Sequence, residues 1–266
     1  MVISSKDNET IKHIKKLKDK KYRDEYGEFI VEGFKMIEEA IEEKVNIKKI
    51  IVCDDCRQNC TLPQNLMYEI AKYDCIYVTE KIFNTITNVV NHQGIMAIVD
   101  KSDMDNAKVD LSQDFYLILN DVQDPGNIGT IVRTADSLNI KQIIVSNKTA
   151  DVYNPKVVRS TMGAIFRVKV IMVDDLVKEI KNLQNNGIKV YSTDLNTDES
   201  IYTVNYEKSA VVIGNEANGV SKEVIEASDG SIKIFSLPCF QLQAAYLKHR
   251  YQHGYPLKII QMNDLK

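Results

Sequence analysis

Residues 115–135 read Phe115-Tyr-Leu-Ile-Leu119-Asn-Asp-Val-Gln-Asp-Pro125-Gly-Asn127-Ile-Gly129-Thr-Ile-Val-Arg133-Thr-Ala135. The unbroken apolar run from Phe115 to Leu119 is the pattern of a strand buried on both faces, as in a parallel sheet. Pro125 and Gly126 then mark a turn, and Asn127 is a good N-cap. Ile128, Ile131, Val132, Ala135 and Leu138 follow at the spacing of a helix with one buried face. Gly129 and Arg133 share the opposite face, one turn apart. The missing side chain at Gly129 leaves room above the helix N-terminus, and the Arg133 guanidinium can reach into it, a corner suited to a phosphate or a ribose. The same residues also read as a capped helix with a surface arginine.

Outward from this stretch, strand and helix signals alternate. Strands are expected near Gln142–Ser146, Arg167–Ile171, Ile188–Ser192 and Ala210–Ile213, with helices at Ile128–Leu138, Pro155–Met162 and Asp174–Asn185. This is α/β with a largely parallel sheet, whose ligands bind at the carboxyl ends of the strands. An earlier block alternates as well: Phe29–Val31, a helix from Gly33 to Glu43, Ile50–Val52, Ile76–Val78, a helix from Lys81 to Asn88, and Ile95–Val99. Between Asp100 and Asp110 the composition turns polar and charged, which reads as a linker between two domains, 1–104 and 105–266.

The 266 residues, 44% hydrophobic and 27% charged, are an ordinary globular composition, which excludes disordered and membrane-embedded classes. No apolar run approaches the ~20 residues of a membrane span, and the N-terminus has no apolar signal core, so a cytoplasmic location is expected. A net charge of −3, from 34 basic and 37 acidic residues, excludes a uniformly basic nucleic-acid coat. Five cysteines in such a chain are expected to be reduced thiols. Cys53, Cys56, Cys60 and Cys75 include one C-x-x-C pair and no second, so no metal is assigned. Neither a Walker-type phosphate loop nor a G-x-G-x-x-G fingerprint is present.

Two further features carry chemistry. From Ser4 the chain reads as one helix, with Ile11, Ile14 and Leu17 on its apolar side. Its polar side carries Lys12, Lys15, Lys16, Lys18, Lys20, Lys21 and Arg23 against the single acid Asp19. It is either a solvated face or an edge that grips phosphates. A second loop, Gly214-Asn215-Glu216-Ala-Asn-Gly219-Val-Ser221, leaves the strand ending at Ile213. Gly214 allows backbone to approach a ligand closely, and Ser221 caps the next helix.

In this order and separation the two loops resemble the first two motifs of the SpoU-type (TrmH-like) RNA ribose 2′-O-methyltransferases, of the SPOUT class. Asn154 to Phe166 is similar to the segment between those motifs, and Tyr22 to Gly33 to the family's L30e-like substrate-binding domain. The likeness covers roughly residues 1 to 235. It implies an L30e-like α/β domain, then a SPOUT α/β domain with a mostly parallel sheet closed by a C-terminal trefoil knot. It also implies methyl transfer from S-adenosyl-L-methionine to a ribose of structured RNA, most naturally 23S ribosomal RNA, by a homodimer, with no membrane or DNA partner. Residue by residue, Asn127, Arg133 and Glu216 fall on catalytic positions, and Thr193, Gly214, Asn215, Gly219 and Ile234 on the cofactor's. RNA would be held by Lys12, Lys15, Lys16, Lys20, Lys21, Arg23 and Arg159. Because a guanidinium titrates above ~12, Arg133 is expected to clamp a phosphate and polarise the hydroxyl instead of removing its proton. Transfer RNA is the alternative substrate, and a non-catalytic RNA-binding protein the alternative class.

One departure stands out. After Ile234 the family continues into a third motif of the type S-L-N-V-S-V-A on an apolar helix that completes the knot. Here the chain runs Phe235-Ser-Leu-Pro-Cys-Phe240 and then Leu247-Lys-His-Arg-Tyr-Gln-His-Gly-Tyr-Pro-Leu257, a poor helix former. This last stretch can be encoded by a choice of synonymous codons that, read one base onward, encodes Leu-Asn-Ile-Ala-Ile-Ser-Met-Ala-Ile-Leu, close to the missing motif. A frameshift between Ile234 and Leu247 is the expectation, and it would remove the segment that completes the knot and half of the cofactor pocket.

Overall fold

The structure is a computed structural model that describes residues 2–58, 63–101 and 108–234. The expected frameshifted tail, the knot, Cys60 and the centre of the linker, with the division at 104/105, lie outside the described residues.

The N-terminal part opens with strand β1 (Val2–Ile3) and the short helices α1 (Glu9–Lys16) and α2 (Lys20–Tyr26). The single basic helix expected from Ser4 is therefore two. Asn8 caps α1 by accepting from the Thr10 N–H at 2.9 Å, and Asp19 caps α2 by accepting from the Lys21 N–H at 3.0 Å. An aspartate inside a lysine-rich run stops one helix and starts the next, because its carboxylate competes for backbone donors. Then come β2 (Glu28–Glu32), α3 (Phe34–Glu42), β3 (Ile47–Cys53), α4 (Asp54–Gln58), α5 (Gln64–Ile70), β4 (Cys75–Val78), α6 (Glu80–Ile86) and β5 (Ile95–Asp100). Helices α4 and α5 have no counterpart among the elements read from sequence. They are one to two turns long, too short for a period of 3.6 to show. The strands form a mixed sheet in the order β1-β4-β3-β5-β2.

The second sheet holds β6 (Phe115–Leu119), β7 (Gln142–Ser146), β8 (Lys169–Val173), β9 (Lys189–Thr193), β10 (Ser209–Ile213) and β11 (Gly230–Ile232). Its order is β11-β9-β10-β6-β7-β8, and every pairing is parallel. Helices α7 (Pro125–Ser137), α8 (Pro155–Ser160), α9 (Leu176–Asn185) and α10 (Lys222–Ala227) connect the strands. Strand β6 is buried on both faces, as its unbroken apolar run requires. Phe115, Leu117 and Leu119 join one core cluster, and Tyr116 and Ile118 another. Each such fully buried apolar side chain contributes about 1.5–3 kcal/mol before the entropy of ordering it.

The core cluster that takes one face of β6 also contains Phe29, Val31, Val52 and Val99 of the first sheet and Ile37 of α3. Phe29 and Tyr153 meet across the boundary with ring centroids 5.0 Å apart. Polar contacts reinforce it: Arg167 pairs with Asp136 on its own side and reaches Glu39 of α3 and its C-cap Glu43 on the other. The two sheets are thus packed through continuous apolar contact.

Candidate active site

Strand β10 inserts between β9 and β6, so the winding of the second sheet reverses between β6 and β10. Beyond the carboxyl ends at such a reversal the connections diverge and leave a crevice where open parallel sheets bind ligands. The loops 120–124 and 214–221 both leave the sheet there. They are laced together: the Asn120 N–H donates to the Ile213 carbonyl at 2.8 Å, the Ser221 N–H to Asn120 Oδ1 at 2.8 Å, and Asn215 Nδ2 to the Asp121 carbonyl at 2.9 Å. Asp121 sits at φ +60°, a conformation that costs a residue with a Cβ about 1–2 kcal/mol. Ser146, at the end of β7, offsets that cost. Its Oγ accepts from the Asp121 N–H at 2.8 Å and donates to Asp121 Oδ1 at 2.7 Å.

Glu216 closes the arrangement. Its Oε1 accepts from Asn127 Nδ2 at 2.9 Å and from the Asp124 N–H at 3.0 Å, and its Oε2 accepts from the Gln123 N–H at 3.1 Å. Partial burial pushes its pKa up, but the Asn127 amide and the two backbone donors outweigh it and hold the carboxyl below its ordinary 4.5. The negative charge also faces the positive end of α7.

Several details differ from the sequence reading. The N-cap of α7 is Asp124, whose Oδ1 accepts from the Asn127 N–H at 2.9 Å, with Pro125 in the first turn. That leaves the Asn127 side chain free of the cap and able to reach Glu216. Aspartate followed by proline was a readable start signal. The room expected above Gly129 is filled: a Cβ there would lie 1.8 Å from Ser160 Oγ, so the glycine lets α7 pack onto α8. The close approach expected at Gly214 is to its own loop, since a Cβ would lie 2.1 Å from the Gly219 carbonyl carbon. Asn215 and Gly219 exchange both backbone hydrogen bonds, with Gly219 at φ +70°. Ser221 occupies the cap position of α10 without a side-chain cap bond.

Arg133 is exposed on α7 and makes no hydrogen bond or ion pair with another described residue. Lying ~9 Å along the helix axis from Asn127, its side chain is directed by helix geometry back toward the N-terminus. Thr193 ends β9 and donates to the Val212 carbonyl at 3.0 Å. Ile234, just past β11, is half-buried against the core. Thr193, Gly214 and Ile234 thus close three adjacent strands on one edge, near Leu195, which is 77% exposed.

Of the basic residues, Lys12 pairs with Glu9 at 2.9 Å and Lys20 with Asp24 at 2.7 Å. Lys15 is half-buried, whereas Lys16, Lys21 and Arg159 are exposed. Arg23 overturns its expected role in gripping RNA. It is buried, donates to the Leu17 and Lys18 carbonyls at 2.7 and 2.8 Å, and forms an ion pair with Asp151 in the loop after β7. Four of its five N–H donors are spent inside the protein. Cys53, Cys56 and Cys75 form no disulfide among the described residues, and burial together with the Cys53 thiol pushes Cys56 up to about 12. Among the described residues no group of His, Cys, Asp and Glu is arranged to hold a metal ion, and no helix is long and apolar enough to cross a membrane.

An all-parallel sheet with interlocked loops at its switch point, an anionic anchor on a helix N-terminus and an uncommitted arginine on that helix defines an α/β enzyme that handles a nucleotide-like ligand. The chain belongs to the SpoU rRNA methylase family, whose profile matches residues 114–241, while residues 8–97 match an MRM3-like substrate binding domain. It is an RNA methyltransferase. A Bacillus subtilis (strain 168) relative, 23S rRNA (guanosine(2553)-2'-O)-methyltransferase RlmP, is 32% identical over 228 residues, spanning 85% of this chain and 87% of the relative. An AdoMet-bound rRNA methyltransferase from Sinorhizobium meliloti superposes with a TM-score of 0.79 at 25% identity, covering 97% of this chain and 99% of that one. The SpoU methyltransferase AviRb from Streptomyces viridochromogenes shares the fold with a TM-score of 0.81 at 22% identity, covering 92% and 98%.

Proposed function

We propose that this chain methylates a ribose 2′-hydroxyl of structured ribosomal RNA, in the cytoplasm and as a homodimer, with the 23S RNA as substrate. The observation that carries the site is the three-donor embrace of Glu216, which joins both family motifs in one rigid crevice. S-adenosylmethionine, when bound against Thr193, Gly214, Asn215, Gly219 and Ile234, supplies an activated methyl group. The protein's own work is alignment. Holding the hydroxyl in line with the methyl contributes several kcal/mol of barrier lowering. Asn127 is fixed by Glu216 at the mouth of the crevice. Arg133 clamps the phosphate next to the target ribose and polarises the hydroxyl oxygen, whose proton leaves to solvent or to the RNA phosphate. Residues 1–104 act as the RNA-holding unit, through Lys12, Lys15, Lys16, Lys20, Lys21 and, from the other part, Arg159.

A second reading is favoured by the tail alone: a non-catalytic RNA-binding protein of the same fold, since the sequence after Ile234 lacks the third motif. Labelled S-adenosylmethionine, incubated with the protein and unmodified ribosomal RNA, separates the two. Label resistant to alkaline cleavage at one nucleotide supports the enzyme. Saturable RNA binding with no label incorporated supports the second reading, and label in transfer RNA alone overturns the ribosomal assignment.

A further inference from the structure

The polar face of α2 carries aromatic rings among its lysines. Tyr22 and Tyr26 stack with centroids 6.0 Å apart and planes at 14°, one turn apart on the helix. Tyr22 is half-buried and Tyr26 is 36% exposed, so the pair lies at the surface. Lys16 Nζ lies 5.4 Å from the Tyr22 centroid and 6.0 Å from that of Tyr26, and Lys21 Nζ lies 5.6 Å from Tyr22. Their neighbours are neutralised by carboxylates, Lys12 by Glu9 and Lys20 by Asp24. Among the described residues Lys16 and Lys21 have no ion pair with a carboxylate; both lie over the rings, and Lys16 Nζ also donates to the Tyr26 hydroxyl at 3.4 Å. His13 packs on Tyr26 at 4.8 Å and bonds Glu28, which fixes the far side of the pair.

The ridge is also placed. Arg23, on the same helix, is paired with Asp151 in the loop after β7. That loop is tied to the motif loop by Gln123, which bonds the Lys148 carbonyl, and by the Ala150 N–H, which donates to the Val122 carbonyl at 2.9 Å. The Tyr22–Tyr26 pair is therefore anchored to the rim from which Asn127 and Glu216 act.

We propose that Tyr22 and Tyr26 form a stacking platform for an unpaired RNA base near the methylated nucleotide, with Lys16 and Lys21 taking the flanking phosphates. This rests on the RNA reading above. Bases of loops and bulges are read by stacking on aromatic side chains, and a cation that leaves a ring for a phosphate uncovers the ring it rested on. A fully paired helix offers no such base.

The probe is an RNA hairpin with the fluorescent base aminopurine in its unpaired loop, compared with a blunt duplex of the same composition over a range of salt. The wild-type protein should quench the aminopurine. The double variant Tyr22→Leu/Tyr26→Leu should lose the quenching and bind the hairpin about tenfold more weakly, with duplex affinity and salt slope unchanged. Tyr22→Phe/Tyr26→Phe should behave as wild type, and equal thermal unfolding of the two double variants controls for folding. Quenching retained in the leucine variant, or equal losses on hairpin and duplex, would overturn the platform. If Lys16→Ala/Lys21→Ala flattens the salt slope while the tyrosine variants change nothing, RNA binding stands and the platform falls. If the wild type binds neither RNA at any salt, both fall.

Discussion

Asn127 Nδ2 donates to Glu216 Oε1 at 2.9 Å across 89 positions of sequence, and this bond joins the two loops at the switch point of the parallel sheet. The same carboxylate oxygen also accepts from the Asp124 N–H, the residue that caps α7. One side chain therefore sets both the start of the helix and the orientation of the amide at the crevice mouth. Glu216 is in this sense a positioning residue, acting through Asn127.

Glu216→Gln should preserve shape but lose the charge that three donors face. We expect a fall of at least about tenfold in kcat, equivalent to ~1.4 kcal/mol, with RNA affinity little changed. Steady-state kinetics with separate RNA-binding titrations check it, and an unchanged kcat would remove Glu216 from the machinery.

Acid should loosen the same joint. The folded carboxyl titrates below its ordinary 4.5, so its contribution is complete above that value and is lost as the pH falls through the lower, folded one. Amide hydrogen exchange at Gln123 and Asp124, corrected for the intrinsic pH dependence of exchange, should show protection at neutral pH that is lost only as the pH falls below the ordinary 4.5 of a glutamate. In Glu216→Gln the protection should start lower and carry no such step.

Arg133→Lys keeps the charge but loses the planar fork, and should cost about a hundredfold or more in turnover while leaving cofactor affinity intact, ~2.7 kcal/mol of transition-state stabilisation. Near-normal turnover would reassign the residue to a surface role.

Arg23→Ala leaves Asp151 charged and largely buried and removes the donor from the Leu17 and Lys18 carbonyls just past α1. Removing one partner of a buried pair costs about 3–5 kcal/mol, to be read by chemical denaturation. A loss below ~1 kcal/mol, in the range of an exposed pair, would mean that the contact is a surface one.

The tail is settled by nucleotides. The coding DNA between the codons of Ile234 and Leu247 should carry an inserted or deleted base, and codons incompatible with the shifted peptide would end the frameshift. Calorimetric titration of S-adenosylmethionine into the chain as written should show weak or no binding, restored when the shifted-frame tail replaces residues 235–266. Tight binding by the chain as written would show that the altered tail suffices for the pocket.

The amino-acid sequence by itself determined the parallel sheet, because Phe115–Leu119 and Ser209–Ile213 are apolar at every or nearly every position and such runs require burial on both faces. It also placed the two loops whose order and spacing carry the family likeness, since glycine, proline and cap residues act locally. Only tertiary structure decided what those residues touch. Gly129 read as a vacancy because its partner, Ser160, lies on another helix, and at Gly214 the backbone that leaves no room for a side chain comes from the return of its own loop. Arg23 read as one more surface cation. Lys20 and Lys21 stand just before it in the same basic run, and Asp151 is 128 positions away, so no local pattern marks it as buried. Strand order is the physical reason: inserting β10 between β9 and β6 brings distant loops within hydrogen-bond reach, and periodicity along the chain carries no record of which strands become neighbours.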